Sequence, residues 1–161
     1  MPDKESLLIY LAGHIHGDWR ERVRKMAEQR GLPIRFCGPR EDHVRSDNVG
    51  VNILGLTTAD VGDKLAGQIR DDLGGRAYNL RTRLWIGKCD MVLAFFDGEQ
   101  ANLRQWDTAA DIGVAQALGK PVLIVRTPNL VHSLKELAPR ADFVVDTLEQ
   151  GVDVLAYIFE N

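Results

Sequence analysis

Three short runs of apolar residues constrain the fold of this chain more than any other feature of its sequence. Leu7–Leu11, Met91–Phe96 and Pro121–Val125 each have the length of a buried strand. None of them alternates polar and apolar residues, as a strand with one exposed face would. Strands that are apolar on both faces are typical of a parallel sheet that helices cover on both sides.

The remaining segments predict an alternation of strands and helices. Further strands are predicted at Pro33–Cys37 and Phe143–Val145. Helices are predicted from Asp18, as N-cap, to Gly31, and over Tyr78–Lys88, Thr108–Leu118, Val131–Leu137 and Leu148–Phe159. We therefore expect residues 1–161 to form a single α/β domain with an open, doubly wound, mainly parallel sheet of five strands and helices on both faces.

The stretch Arg40–Gly75 interrupts this regular pattern. It is polar, contains several glycines and has weak periodicity, so the sequence predicts at most short helices around Val61–Leu73. An irregular segment of this length in a compact domain usually carries function.

Composition excludes several classes of function. The net charge is −3, and the basic residues are interspersed with acidic ones, so no basic stripe indicates a nucleic-acid partner. No apolar run reaches the roughly 20 residues that span a bilayer. The polar, acidic beginning of the chain does not resemble a secretory signal, and the two cysteines lack a CxxC spacing. We expect a cytoplasmic protein that binds a small molecule and, in the absence of GxGxxG or GxxxxGK[ST], no nucleotide cofactor.

Ligands of open parallel sheets bind outside the carboxyl ends of the strands, which selects the polar residues that matter. The candidates are Gly13, His14, His16 and Trp19 after the first strand, His43, Arg45, Asp47 and Asn48 after the second, and Asp97, Trp106, Asp107, Thr108 and Asp111 after the third.

Each of these groups also has a purely structural interpretation. Asp107 or Thr108 could cap the helix that follows, and Asp111 could interact favourably with the helix dipole. Trp106 could belong to the core, since Trp is usually well buried. The sequence Arg45–Asn48 could form a turn, because Ser, Asp and Asn bond to nearby backbone.

The pair His14 and His16 suggests a metal site. Alternate residues of an extended segment point the same way, so the two imidazoles could share an ion with Asp18 or His43 as a third ligand. The ligand spacing is weak, and substrate binding or a surface location explains the pair better, so no metal is expected.

Several motifs together resemble a known group of enzymes. The sequences Tyr10–Gly13, Cys89–Gly98 and Asp107–Pro121 resemble the strand ends and the GTxxExGxA helix of nucleoside 2-deoxyribosyltransferases. Over nearly the whole chain, the tracts YLAGHIHGDWR, GPREDHVRSDNVG and QWDTAADIGVAQALGKP resemble the small bacterial YtoQ family. The resemblance implies the deoxyribosyltransferase-like fold and a homo-oligomer.

The resemblance also implies a catalytic carboxylate. The Glu nucleophile of the transferases, which attacks the anomeric carbon, is matched by Asp111, one methylene shorter. Asp107 replaces the family Gly, and two supporting acids are replaced by Gln105 and Thr82.

Three functional hypotheses follow from these residues. The first is an enzyme acting on the N-glycosidic bond of a nucleoside or nucleotide, with Asp111 as nucleophile or stabiliser of an oxocarbenium-like transition state. Its further roles are assigned as follows: Asp107 as acid/base or sugar ligand, Trp106 or Trp19 stacked on the base, and Arg45 with His14 or His16 on hydroxyls or a phosphate. The second is a non-catalytic module that binds a nucleotide or an ADP-ribose-like ligand, and the third is a metal-dependent hydrolase using His14 and His16.

Overall fold

A five-stranded parallel sheet forms the centre of the protein. The computed structural model describes residues 6–56, 63–100 and 105–160, with side chains in the helix that begins at Asp63 described from Gly67 onward. The strands are β1 (Leu7–Ala12), β2 (Ile34–Cys37), β3 (Met91–Phe96), β4 (Val122–Arg126) and β5 (Phe143–Val145). Their order is β2-β1-β3-β4-β5, and every pairing is parallel. The predicted α/β fold is thereby confirmed.

Helices cover both faces of this sheet. They are α1 (Trp19–Gln29), α2 (His43–Leu54), α3 (Asp63–Lys88), α4 (Trp106–Ala117) and α5 (Leu148–Tyr157). Helices α1 and α5 pack on one face, α3 and α4 pack on the other, and α2 lies against α3. None of the described helices is long and apolar enough to cross a membrane.

Two separate cores explain the unbroken apolar runs. Successive strand residues point to opposite faces, so Ile9 and Leu11 of β1 pack with Trp19 of α1, while Tyr10 packs with Ile86 of α3. All six residues of β3 are buried in the same manner. Polar side chains would be buried without partners on either face of such a strand, so the strand is apolar throughout. This explains the unbroken apolar runs in the sequence.

The strand order reverses between β1 and β3. From β1 the chain proceeds outward to β2, and it then crosses back to β3 on the other side of β1. The loops that leave β1 and β3 therefore diverge and open a crevice at the carboxyl edge of the sheet.

The stretch Arg40–Gly75 is helical over most of its described residues, contrary to the weakly structured segment that was predicted. Helix α2 begins after Asp42, whose carboxylate accepts a hydrogen bond from the Arg45 amide (3.0 Å), and it ends at Gly55. Helix α3 covers 26 residues and contains the predicted helix Tyr78–Lys88 as its second half. Val61 and Gly62 lie outside the described residues.

Close contact through glycine explains why periodicity missed these helices. A Cβ on Gly50 of α2 would lie 2.8 Å from the Leu73 carbonyl carbon and 3.0 Å from its oxygen in α3. A Cβ on Gly74 would lie 3.1 Å from the Asp47 carbonyl oxygen. This part of the α2–α3 interface therefore depends on missing side chains, which produce no hydrophobic stripe.

One smaller prediction was also wrong. Val131–Leu137 forms turns between two 3₁₀ helices, Pro128–Leu130 and Ala138–Arg140, rather than an α-helix. Proline near the start of each short helix lacks the amide hydrogen that continuous helical bonding would use. Asp18 does occupy the N-cap position of α1, but its side chain makes no capping hydrogen bond.

Substituting Gly50 by alanine tests the contact between α2 and α3. We expect Gly50→Ala to lower the free energy of unfolding by ~1–3 kcal/mol, because the added methyl group forces the helices apart. The matched variant Gly75→Ala, whose Cβ would meet nothing within 4 Å, should be neutral or raise that free energy by ~0.5–1 kcal/mol through helix propensity. Urea unfolding monitored by circular dichroism measures both, and equal effects would contradict the packing argument.

Candidate active site

The carboxyl end of β1 is held by a buried arginine. The Arg20 guanidinium donates hydrogen bonds to the carbonyl oxygens of Leu11 (3.3 Å), Gly13 (2.6 Å) and His14 (2.6 Å). The side chain of Trp19 lies under it, with the guanidinium carbon 4.3 Å from the ring centroid, and its indole donates to the His14 carbonyl (3.0 Å). Burial lowers the pKa of Arg20 to about 10, so the group remains charged at neutral pH.

Trp19 is thereby part of the protein core. It is 3% exposed and packs against Phe95 of β3, with ring centroids 5.2 Å apart. Stacking on a ligand base, the role suggested for Trp19 or Trp106, is therefore open to Trp106, which is 70% exposed at the start of α4. The alternative that Trp106 belongs to the core is wrong.

His14 is buried in a defined tautomer. Its Nδ1 accepts a hydrogen bond from the His16 amide (3.3 Å), so the proton of the neutral ring lies on Nε2, 3.5 Å from Asp97 Oδ2. Burial lowers the pKa of His14, more strongly than the Asp97 carboxylate raises it. His14 is therefore neutral at pH 7, and its Nε2 faces Asp97 but makes no hydrogen bond among the described residues.

Gln105 connects the end of β3 to the start of α4, a role that sequence reasoning did not assign. Its side-chain amide makes two hydrogen bonds of 3.1 Å with the backbone N–H and C=O of Asp97. Its backbone adopts φ 52°, the one left-handed non-glycine conformation among the described residues. The signal for this residue was its place in the family motif, where a carboxylate was expected.

Asp111 is a buried carboxyl group on α4. It is 4% exposed, and its Oδ2 accepts a hydrogen bond from the Tyr78 hydroxyl of α3 (3.4 Å). Burial, and next the Asp107 carboxylate one turn earlier, raise the pKa of Asp111 to about 7. Burial beside Asp111 also raises the pKa of Tyr78 well above its usual range, so this phenol stays protonated and donates.

A second buried phenol lies near the same carboxyl group. The Tyr10 hydroxyl of β1 is 3.4 Å from Thr82 Oγ1 of α3, and burial, followed by the Asp111 carboxylate, raises the pKa of Tyr10 to about 12. Thr82 stands where an acid of the family was expected. It supports the Tyr10 hydroxyl without adding a second buried charge beside Asp111.

A cavity of about 380 Å³ opens at the crevice between the loops that follow β1 and β3. We call it the candidate cavity. It includes five residues predicted from sequence, and Tyr78 forms the part of its wall that reaches Asp111 through the phenol hydroxyl. The five predicted residues are His14, His16, His43, Asp47 and Asp107.

Other predicted residues lie outside this cavity. Arg45 lines an adjoining pocket, and the Asn48 amide donates to the Val44 carbonyl of its own helix (2.8 Å). Arg45–Asn48 is part of α2, so the turn interpretation of this sequence is wrong.

The capping interpretation of Asp107 and Thr108 is also wrong. Gln105 occupies the N-cap position of α4, and no side chain caps this helix. Thr108 is 1% exposed, and its Oγ1 has no hydrogen-bond partner among the described residues.

The histidines are not arranged as a metal site. The His14 and His16 rings lie nearly parallel with centroids 6.3 Å apart, and the His14 nitrogens face the His16 amide and Asp97. His43 is an edge neighbour of His16 and lies 3.5 Å from Asp47. Within residues 6–56, 67–100 and 105–160, no three His, Cys, Asp or Glu side chains are grouped to hold an ion.

A parallel sheet of this order, with helices on both faces, defines a doubly wound α/β protein. Two solved structures share the fold with a TM-score of 0.51: a 2-deoxyribosyltransferase of Bacillus psychrosaccharolyticus (20% identity, 94% of this chain and 93% of that one) and one of Leishmania mexicana (19% identity, 96% and 99%).

The sequence comparison is more specific than the fold. Residues 10–159 match the family described as Nucleoside 2-deoxyribosyltransferase YtoQ, and the chain belongs to this family. It is 41% identical over 156 residues to a protein of Bacillus subtilis strain 168 named Uncharacterized protein YtoQ, covering 97% of this chain and 99% of that protein. The resemblance inferred from the motifs is confirmed.

Replacing Arg20 by lysine tests the anchor at the end of β1. We expect Arg20→Lys to lower the free energy of unfolding by ~2–4 kcal/mol, because an ammonium group cannot reproduce the planar fork and leaves buried carbonyl groups unpaired. The control Arg22→Lys changes an exposed residue of the same helix, 2.9 Å from Glu149, and should cost less than ~0.5 kcal/mol. Similar losses in urea unfolding of both variants would contradict the anchoring role.

The raised pKa of Asp111 predicts how stability depends on pH. The folded protein holds the Asp111 proton up to about pH 7, whereas the ordinary pKa of an Asp in an unfolded chain is 3.8. Between these two pKa values the unfolded chain binds fewer protons, so the contribution of Asp111 to stability is present below pH 3.8 and is lost as the pH rises to about 7.

The variant Asp111→Asn should not lose stability in this way as the pH rises, because an asparagine side chain does not ionise. We expect the variant to gain ~1–3 kcal/mol in unfolding free energy relative to the native protein at pH 8, and this gain should vanish near pH 4. Thermal and urea unfolding from pH 4 to 8 measure it. Asp153→Asn, at an exposed carboxylate on the opposite face of the sheet, should show no gain that grows with pH, and a flat difference for Asp111→Asn would refute the buried ionisation.

Proposed function

We propose that this protein is an enzyme that acts on the N-glycosidic bond of a nucleoside or nucleotide, as a transferase or a hydrolase. The observation that carries the proposal is the buried Asp111 carboxyl group, with a pKa raised to about 7, at the matched position of a deoxyribosyltransferase-like helix. The names of the family and of the two solved transferases support the same class of substrate.

The reaction needs a carboxylate at the anomeric carbon. As the bond from C1′ to the base nitrogen breaks, its electron pair leaves with the base, and the ionised Asp111 stabilises the positive charge that develops on the sugar. In the covalent variant Asp111 Oδ bonds to C1′ and forms a glycosyl ester. A second base or a water molecule then bonds to C1′, breaks the ester and regenerates the carboxylate.

The phenol of Tyr78 orients the nucleophile. Its hydroxyl donates to Asp111 Oδ2 (3.4 Å), and its pKa, raised by burial, keeps it protonated throughout the pH range in which Asp111 ionises. Tyr78 also lines the candidate cavity, which Asp111 itself does not, so the phenol lies between a ligand there and the buried carboxyl group and has to move aside for direct attack.

The departing base needs a proton, and Asp107 is our proposed source. Asp107 lines the candidate cavity one turn before Asp111 on α4, and its charge contributes to the raised pKa of Asp111. Trp106, adjacent in sequence and exposed, is proposed to stack on the base, and His16 in the cavity wall to bond a sugar hydroxyl.

Gln105 and Thr82 stand at positions where the transferases have carboxylates, so this site has two acidic residues fewer. Both instead make structural hydrogen bonds, Gln105 to the Asp97 backbone and Thr82 to Tyr10. The remaining pair, Asp111 and Asp107, is sufficient for one nucleophile and one proton donor. A protein that bound intact nucleotide without ever releasing base would contradict the enzymatic proposal.

Chromatography of a nucleoside panel tests the reaction. We incubate the protein with 2′-deoxynucleosides, ribonucleosides and their 5′-monophosphates, with and without an acceptor base, and follow free base and exchanged nucleoside. Base release should fall by ~100-fold or more in Asp111→Asn, because the variant cannot ionise. In the native protein the rate should rise with pH through about 7, as Asp111 becomes ionised.

Asp153→Asn provides the matched control, since it removes an exposed carboxylate from α5 on the other face of the sheet. Its rate should equal that of the native protein. Release of base at the native rate by Asp111→Asn would remove this residue from the mechanism.

A further inference from the structure

A second pocket adjoins the candidate cavity and is lined by three arginines. It has a volume of about 370 Å³, and we call it the arginine pocket. Its charged wall consists of Arg40 before α2, Arg45 in α2 and Arg81 in α3. Arg40 also lines the candidate cavity, as do Ser46 and Tyr78, so the two spaces are contiguous.

The acidic residues nearby do not neutralise these arginines. Glu41 lies 3.2 Å from Arg24 of α1, and the Asp42 carboxylate caps α2. In the described part of the chain Arg40 and Arg45 make no ion pair, and no acidic side chain lines the arginine pocket.

Contacts with the protein already fix the orientation of the Arg81 guanidinium. Its Nη1 donates to the Gly38 carbonyl at the end of β2 (2.6 Å), and its guanidinium lies 5.8 Å from the ring centroid of Trp85. These contacts hold the planar group while leaving further N–H donors for a ligand, since a guanidinium carries five.

The position of Arg45 is unfavourable for the fold alone. A helix N-terminus carries a partial positive charge, so cations in the first turn are destabilising. Helix α2 nevertheless has Arg45 in its first turn and no acidic residue there, apart from the Asp42 carboxylate at the N-cap. Three neighbouring guanidinium groups add mutual repulsion, and a bound anion would offset both costs.

We propose that the arginine pocket binds the phosphate of the substrate, so that the substrate is a nucleoside 5′-monophosphate rather than an uncharged nucleoside. A phosphomonoester carries a charge of about −1.5 to −2 and three acceptor oxygens, which match arginine forks. The sugar then occupies the candidate cavity beside Tyr78, whose hydroxyl bonds to Asp111. This inference rests on the proposed function and adds the class of substrate to it.

Calorimetric titration compares a 2′-deoxynucleoside with its 5′-monophosphate, and inorganic phosphate serves as a third probe. The native protein should bind the monophosphate at least ~10-fold more tightly than the nucleoside, with a preference that weakens as salt rises. Inorganic phosphate should compete with the monophosphate. The double variant Arg40→Gln/Arg45→Gln should lose this preference by ~10-fold or more, because a charge-assisted bond to phosphate is stronger than a neutral one.

Arg83→Gln is the matched control, since Arg83 is an exposed arginine of α3 that does not line the arginine pocket. It should keep the native preference. Urea unfolding checks that the double variant is folded. If it is not folded, the charge-conserving variant Arg45→Lys replaces it in the test, and this variant should show a preference between those of the native protein and of a protein without the pocket. Equal affinity of the native protein for nucleoside and monophosphate, or a preference that survives in folded Arg40→Gln/Arg45→Gln, would overturn the proposal.

The two proposals fail in different ways. Preferential binding of the monophosphate without any release of base supports the arginine pocket and contradicts the glycosidic reaction. Release of base from nucleoside and monophosphate with equal kcat/KM supports the reaction and contradicts the pocket.

Discussion

The buried guanidinium of Arg20 is the interaction on which the rest of the site depends. A charge in a protein interior needs compensation, and the acidic side chain nearest to it, Glu41, is 3.9 Å away and half exposed. Backbone carbonyl groups at the end of β1 and directly after it supply that compensation instead, and the guanidinium satisfies their own need for a hydrogen-bond donor. The exchange fixes the loop that carries His14 and His16, and it places His14 against Asp97 at the end of β3.

Because the strand order reverses between β1 and β3, the acidic and the basic side chains reach the crevice from opposite sides. The carboxyl groups of Asp107 and Asp111 are on α4, which follows β3. Arg40 and Arg45, which make no ion pair within the described residues, come from the segment that follows β2. Tyr78 on α3 contacts both sides of the crevice. It lines the candidate cavity and the arginine pocket, and its hydroxyl donates a hydrogen bond to Asp111. Burial keeps Asp111 partly protonated near pH 7, so this carboxyl group does not simply neutralise the arginines.

Sequence reasoning succeeded where a buried strand produces an unbroken run of apolar residues. Met91–Phe96 was predicted with the observed bounds, because a strand buried on both faces is apolar throughout. Phe143–Val145 was also predicted with the observed bounds, although β5 is an edge strand and its Phe143 is exposed. It failed for α2 and most of α3, because Gly50 and Gly74 allow these helices to approach without apolar side chains, and Leu80 and Leu84 of α3 are exposed.

The same limitation applies to the site. Asp111 was found through its motif, and the histidines through their place after β1. Tyr78, Arg40 and Arg81 were not assigned to a site, because nothing in the local pattern around them shows which strand end they approach. Gln105 was noticed as a departure from a motif, but its left-handed backbone and its two bonds to Asp97 depend on the end of β3, which lies outside any local window.

The glycine contact between α2 and α3 has a consequence for protein engineering. Residues 40–81 carry the arginines and Tyr78, and they are attached to the remainder of the fold mainly through α3, while Asp111 and its helix follow later in the chain. The arginines proposed to bind the substrate and the carboxyl groups proposed to react are therefore encoded in successive stretches of sequence. Libraries that randomise residues 40–81, with Gly50, Gly74 and Tyr78 retained, would vary what is bound while leaving the reactive carboxyl group in place.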